Sequence, residues 1–206
     1  DFGDDVHTVT CDQGDVFHAR TVVVTTGSTV RKLQVPGEET FAGRGVSYCA
    51  TCDGFFFRNK PIVVVGGGDS ACEEALFLTR FGSSVTLIHR RDEFRASKIM
   101  QERVCSNPDI TLMMNTVVER VNGSDAGAES ITVRNRATDE VTDVPANGIF
   151  VAIGHTPATD FLHGALALDD DGYILVDGAS TRTSVPGVFA AGDAVDRVYR
   201  QAISAA

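Results

Sequence analysis

The sequence lacks an excess of positive charge: 18 Lys and Arg stand against 28 Asp and Glu, a formal net charge of −10. A general nucleic-acid-binding surface is excluded on that balance, because neutralising phosphates takes clustered Lys and Arg. Long apolar runs are also missing. The longest, such as Ile149 to Ile153, fall far short of a bilayer span. Only five cysteines occur (Cys11, Cys49, Cys52, Cys72 and Cys105), too few and too irregular for a disulfide scaffold in 206 residues. There is no internal repeat and no low-complexity tract. The chain opens Asp1-Phe2-Gly3-Asp4-Asp5, without an initiator Met or a charged-then-apolar leader. It stops at Gln201-Ala202-Ile203-Ser204-Ala205-Ala206, an apolar-periodic run with no helix stop signal. Both ends are expected to be cuts within a longer structure, and a cytoplasmic location is expected.

What is present reads as globular protein. Apolar residues make up 43% and charged ones 22%, and the length corresponds to about 1.4 average domains. Val6 to Thr10 and Val16 to Thr26 alternate around a turn at Gly14, which predicts a hairpin leading into a buried strand, Thr21 to Thr25. Residues 31 to 45, with Pro36, Gly37, Gly43 and Gly45, read as a linker. The pattern then changes to strand Ile62 to Val65, a helix with Ala71, Ala75, Leu78 and Phe81 on one face, and strand Val85 to Ile88. A helix over Ala96 to Val104 and strand Ile110 to Met114 follow. Strands alternating with helices on short connections predict a parallel sheet. Short strands at 117–121, 131–135 and 141–144 predict a meander, with further strands at 149–154, 173–176 and 188–190.

Three motifs carry chemistry. Gly66-x-Gly68-x-x-Ala71 lies between a predicted strand and helix, the context in which such glycines let a backbone approach a pyrophosphate at the helix N-terminus. Gly67, Asp69 and Ser70 complete that turn; a glycine-rich turn without a ligand is the alternative. At the tip of the next strand stands His89-Arg90-Arg91-Asp92-Glu93-Phe94-Arg95, with Lys98 close behind. Arginines there suit the 2′-phosphate of NADP, where a carboxylate would select NAD. A solvated face paired with Asp92 and Glu93 is the competing reading. The third motif, Cys49-Ala50-Thr51-Cys52-Asp53, has no second ligand pair to complete a zinc site and reads best as a redox dithiol with a carboxylate placed for proton transfer. Zinc binding and inert thiols remain as alternatives, and Cys11, Cys72 and Cys105 read as filler. A flavin would supply the electronic link between a nicotinamide and a dithiol.

Cys49-Ala50-Thr51-Cys52-Asp53-Gly54, Gly66-Gly67-Gly68-Asp69-Ser70-Ala71, His89-Arg90-Arg91 with Arg95, Gly154-His155-Thr156-Pro157, Gly187-Val188-Phe189-Ala190-Ala191-Gly192-Asp193 and Arg200-Gln201-Ala202 occur in that order. The set resembles the bacterial-type, low-molecular-weight thioredoxin reductases over essentially the whole chain. The resemblance implies a two-domain α/β, Rossmann-like fold of the FAD/NAD(P)-binding flavoprotein disulfide reductases. It also implies the cofactors FAD and NADPH, thioredoxin as the partner and a homodimer. Cys52 would face the flavin, Cys49 would attack thioredoxin and Asp53 would move the proton. Gly154 would belong to the cofactor-binding set. Asp193 would bond the ribityl chain of FAD, with Arg200, Gln201 and Ala202 lining the flavin site at a helix start; read from sequence alone, Asp193 is equally a turn residue.

The expected domains are a partial first FAD segment over 1–32, a complete NADPH and dithiol domain over 33–157, and a second FAD segment over 158–206. Rotation of the two domains is implied, with a hinge near Lys32 and Gly154 to Pro157. The family's own FAD glycine fingerprint has no counterpart here; Thr25-Thr26-Gly27 resembles the end of that segment. A flavoprotein reductase serving a peroxidase, a dithiol oxidase without NADPH, and a non-catalytic NADP-binding or thiol-sensing module are the alternatives.

Overall fold

The computed structural model describes residues 1–200 and Ala205. Two compact units result, one from residues 1–30 with 155–206 and one from residues 31–154. In the first unit β1 (His7–Thr10) and β2 (Val16–Ala19) form an antiparallel hairpin, and Gly14 supplies the positive φ of 90° its turn requires. β3 (Val22–Val24) and β4 (Ser28–Val30) follow. The expected buried strand is buried only at one position: Val24 is 5% exposed, whereas Val23 is 62% exposed.

The second unit holds β5 (Val46–Ser47), α1 (Ala50–Asp53), β6 (Pro61–Val65), α2 (Asp69–Leu78), β7 (Ser84–Ile88), α3 (Lys98–Cys105) and β8 (Ile110–Met113). It continues with β9 (Thr116–Ser124), β10 (Gly127–Asn135), β11 (Val141–Pro145) and β12 (Gly148–Val151). β5, β12, β6, β7 and β8 lie side by side in that order, every pair parallel. β9, β10 and β11 form the antiparallel meander, with β9 and β10 running longer than their apolar patterns predict. Period-two alternation splits the central strands between two cores. Val63, Val65, Ile88, Ile149 and Val151 pack with Val118, Val121, Ile131 and Val133 of the meander. Ile62, Val64, Val85, Leu87 and Phe150 face Ala71, Cys72, Ala75 and Leu78 of α2 and Val104 of α3. Fully burying each larger aliphatic side chain contributes about 1.5–3 kcal/mol.

Residues 31–45 carry almost no regular structure, as their composition predicts, yet they are not a loose tether. Glu38, 1% exposed, accepts from Leu33 N (2.9 Å) and Tyr48 OH (3.2 Å) through Oε1, and from Gln34 N (2.7 Å) through Oε2. Three donors make a buried carboxylate tolerable. Burial, with the Glu38 charge beside it, pushes the Tyr48 phenol up to about 12.

Glu74 is less well served. It is the sixth residue of α2, past the first turn in which the helix dipole favours a negative charge, and its Oε2 is buried with no hydrogen-bond partner among the described residues. Burial first, and the neighbouring Glu73 charge second, push its pKa up to about 7. A carboxyl whose folded pKa is raised contributes stability in full below its unfolded value of 4.5 and loses it as pH rises through 7. Glu74→Gln is therefore expected to be more stable than the wild type at pH 8, by about 2 kcal/mol after allowance for partial exposure. The two proteins converge near pH 5, and urea unfolding at the two pH values checks this.

Back in the first unit, β13 (His155–Pro157) pairs antiparallel with β4, and β14 (Val188–Ala190) pairs parallel with β3. The strand expected over 173–176 is not formed. Ile174 makes one bridge to Leu168, and its N–H goes to Ala194 O at 2.9 Å, so a packed loop satisfies the alternation. Among the described residues no helix is long and apolar enough to cross a membrane.

Candidate active site

Cys49 and Cys52 are joined in a disulfide, with Cα atoms 5.3 Å apart. Cys49 is half-buried at the N-cap of α1, and Cys52 is exposed. The Cys49 sulfur accepts the Cys52 N–H at 3.2 Å and lies 3.4 Å from Thr51 Oγ1. Asp53 ends α1, and its Oδ2 accepts the Ser47 hydroxyl at 2.7 Å. Ser47 Oγ in turn accepts Cys49 N–H at 3.1 Å. One 5%-exposed serine at the end of β5 thus fixes both the backbone of the first cysteine and the carboxylate after the second. Nothing in the sequence marks Ser47, because its role exists only through these contacts. Among the described residues no three His, Cys, Asp or Glu side chains gather as a metal ion would need.

The glycine turn joins β6 to α2, and its three glycines have different causes. A Cβ on Gly66 would overlap the Ala152 carbonyl and Ala71 Cβ, and one on Gly67 would overlap the His89 ring. A Cβ on Gly68 would meet nothing within 4 Å. Packing therefore accounts for Gly66 and Gly67, whereas Gly68 leaves open space where a ligand could lie against the backbone. Ala71 is fully buried, so α2 sits close on the sheet. Gly68 is the N-cap of α2 and offers no side-chain cap, leaving the first-turn N–H groups, from Asp69 through Ser70, for an anion.

The loop after β7 folds onto that turn. Arg95 N and Ala96 N donate to Gly67 O at 2.7 and 3.1 Å. The His89 ring stacks on Phe94, and its Nε2 donates to Glu93 O at 3.0 Å. Burial holds the His89 imidazole below its usual pKa, and the charges of Arg91 and Arg90 add to that. Arg90, Arg91 and Arg95 are exposed, and none has an ion-pair partner among the described residues. Pairing with Asp92 and Glu93, the competing reading, is not made. Arg136, 46 residues away, brings another guanidinium to the loop through Arg90 O at 3.3 Å; no local motif signals it.

The remaining expected residues lie elsewhere. Gly154, φ 104°, accepts Arg31 N–H at 2.9 Å at the point where the chain leaves the second unit. In the first unit Asp193 lies in a 310 turn, Gly192–Ala194, and accepts the Ser28 hydroxyl at 3.3 Å. Arg200 reaches Tyr173 OH at 3.3 Å. Gln201 and Ala202 fall outside the described residues.

The pyridine nucleotide-disulphide oxidoreductase family model matches residues 1–206. The chain belongs to that family. Among its relatives, the thioredoxin reductase of Streptomyces coelicolor is 52% identical over 206 residues, all of this chain and 64% of its own length. That of Mycolicibacterium smegmatis is 57% identical over 194 residues, 94% of this chain and 62% of its own. The crystal structure of thioredoxin reductase from Streptococcus pyogenes is similar with a TM-score of 0.89 at 42% identity, covering all of this chain and 66% of that one. This family member thus spans about two thirds or slightly less of the length of the relatives it matches.

Proposed function

We propose that the protein is an NADPH-dependent thioredoxin-disulfide reductase, using FAD and the Cys49–Cys52 pair. The observation that carries this reading is one unit holding both a surface disulfide braced by Ser47 and Asp53 and a glycine turn beside three arginines with no ion pair among the described residues. NADPH fits the second feature. The open space over Gly68 and the uncapped start of α2 suit its pyrophosphate, and Arg90, Arg91 and Arg95 suit the 2′-phosphate. Asp193 and Arg200 would contribute to holding FAD, which when bound supplies two-electron chemistry between a nicotinamide and a disulfide. Thioredoxin reductases at 52% and 57% identity support the assignment, and a homodimer is proposed on the same footing.

In the reduced pair, the Cys52 N–H would stabilise a thiolate at Cys49, which favours Cys49 as the attacking sulfur. It displaces one sulfur of the thioredoxin disulfide and leaves a mixed disulfide. Cys52 then attacks Cys49, re-forming the Cys49–Cys52 bond and releasing the second thioredoxin sulfur. Each released thiolate takes up a proton, and Asp53, held by Ser47, is the group placed to exchange it. The test is an anaerobic titration with NADPH followed by oxidised thioredoxin. The expected result is a flavin absorbance bleached by NADPH in preference to NADH, with two thioredoxin thiols formed per NADPH. Bleaching without thiol formation would overturn the assignment.

A further inference from the structure

We propose that Asp69 and Ser97 are a positioning pair that sets coenzyme preference by pinning the arginine loop to the glycine turn, rather than by touching the dinucleotide. The inference rests on the NADPH reading given above. Ser97 is the N-cap of α3, with φ −59° and ψ 150°, yet its side chain does not cap that helix. A serine N-cap ordinarily accepts an N–H of the first turn, a bond whose loss costs about 1 kcal/mol. Here the hydroxyl donates instead to Asp69 Oδ1 at 2.6 Å, and Ser97 N–H donates to the same oxygen at 2.9 Å. Both hydrogen bonds hold the Asp69 carboxyl below its usual pKa.

Asp69 is the first residue of α2, at the end of the glycine turn. Three consecutive residues of the loop therefore bond to the turn and its successor: Arg95 and Ala96 to Gly67 O, Ser97 to Asp69. The other end of the loop is fixed separately, where His89 N donates to Met113 O at 3.0 Å and Asn115 N to Arg91 O at 2.9 Å. Arg95 thus depends on the Asp69 end for its place, being two residues from Ser97. A carboxylate directly facing a phosphate would repel it; one turned to Ser97 spends its charge on two donors and orders the loop. The sacrifice of the α3 cap makes sense only if the link between the helices matters more than the cap.

The test is calorimetric binding of NADPH and of NADH to the 206-residue chain and four variants. Ser97→Ala and Asp69→Ala are expected to weaken NADPH by about 5-fold or more, the scale of one lost hydrogen bond, and to leave NADH nearly unchanged. Ser97→Thr retains the hydroxyl, and Asp69→Asn retains an acceptor oxygen, so both are expected to keep most of the preference. If NADPH and NADH weaken together, or if Ser97→Ala keeps the wild-type ratio, the proposal is overturned. A wild-type chain that shows no preference for NADPH would instead overturn the coenzyme assignment itself, and is read from the wild type alone.

Discussion

A chain with Arg90 and Arg95 both changed to alanine is expected to bind NADPH at least about 100-fold more weakly, with NADH affected less than about threefold. Hydrogen bonds to a charged partner contribute about 1.5–3 kcal/mol each, and a guanidinium presents two donors in the plane a phosphate needs. Two lost contacts therefore amount to at least about 3 kcal/mol, or more than 100-fold. The selectivity follows from what the two side chains do not do. Both are exposed and make no ion pair among the described residues, so removing them breaks no ion pair there. The loop itself is held through the backbone of Arg95 and Ala96 and through the His89 ring, which alanine at 90 and 95 leaves in place. Raising the salt concentration should shrink the wild-type preference as well, since the contacts lie at the surface. Equal losses for NADPH and NADH would make the arginines structural. Calorimetry with both coenzymes decides it.

The parts legible in the sequence are those specified locally. The strand-turn-helix at Gly66 to Ala71 is one, because its glycines sit between an apolar strand and a helical run, although the contacts that require Gly66 and Gly67, with the Ala152 carbonyl and the His89 ring, come from distant parts of the chain. Positions 62–65, 85–88 and 110–113 were legible because short apolar or β-branched runs between turn residues have few other fates. The placing of β12 between β5 and β6 was not, since the chain returns there only after the whole meander, and no local pattern encodes which strands it pairs with. Tyr173 to Val176 show the converse failure. Their alternation is real, but Ile174 is buried by a loop that takes its N–H to Ala194 O. Ser47, Glu38 and Arg136 escaped for one reason: a serine, a glutamate and an arginine acquire meaning from the partner that folding brings to them. In the candidate site the cysteine pair was legible as a redox motif and the arginine loop stood out by residue type and position, while the residues that brace them became visible only as hydrogen bonds.

Replacing Cys52 by serine is expected to reduce thioredoxin turnover by at least about 1000-fold, the scale for loss of a group that forms and breaks bonds to the substrate. NADPH binding should survive. Gly54, just after the dithiol, lies against Phe77 and Leu78 at the far end of α2 and Phe81 beyond it, whereas the glycine turn proposed to take the coenzyme lies at its start. Ten residues of helix put about 15 Å between the two ends. The fold should survive too, since Cys52 is exposed and its disulfide closes so short a loop that little chain entropy is at stake. The chemistry is then stopped at one step. Cys49 keeps its sulfur and its hydrogen bond from residue 52, so it can still open the thioredoxin disulfide. With no second thiol to attack Cys49, the mixed disulfide persists as a covalent one-to-one complex, visible by mass under non-reducing conditions. Cys49→Ser should form no such complex if Cys49 is the attacking sulfur, because the stabilising N–H, that of Cys52, is directed at the sulfur of residue 49. A complex trapped only by Cys49→Ser would exchange the two roles, and sustained turnover by either variant would remove the pair from the mechanism.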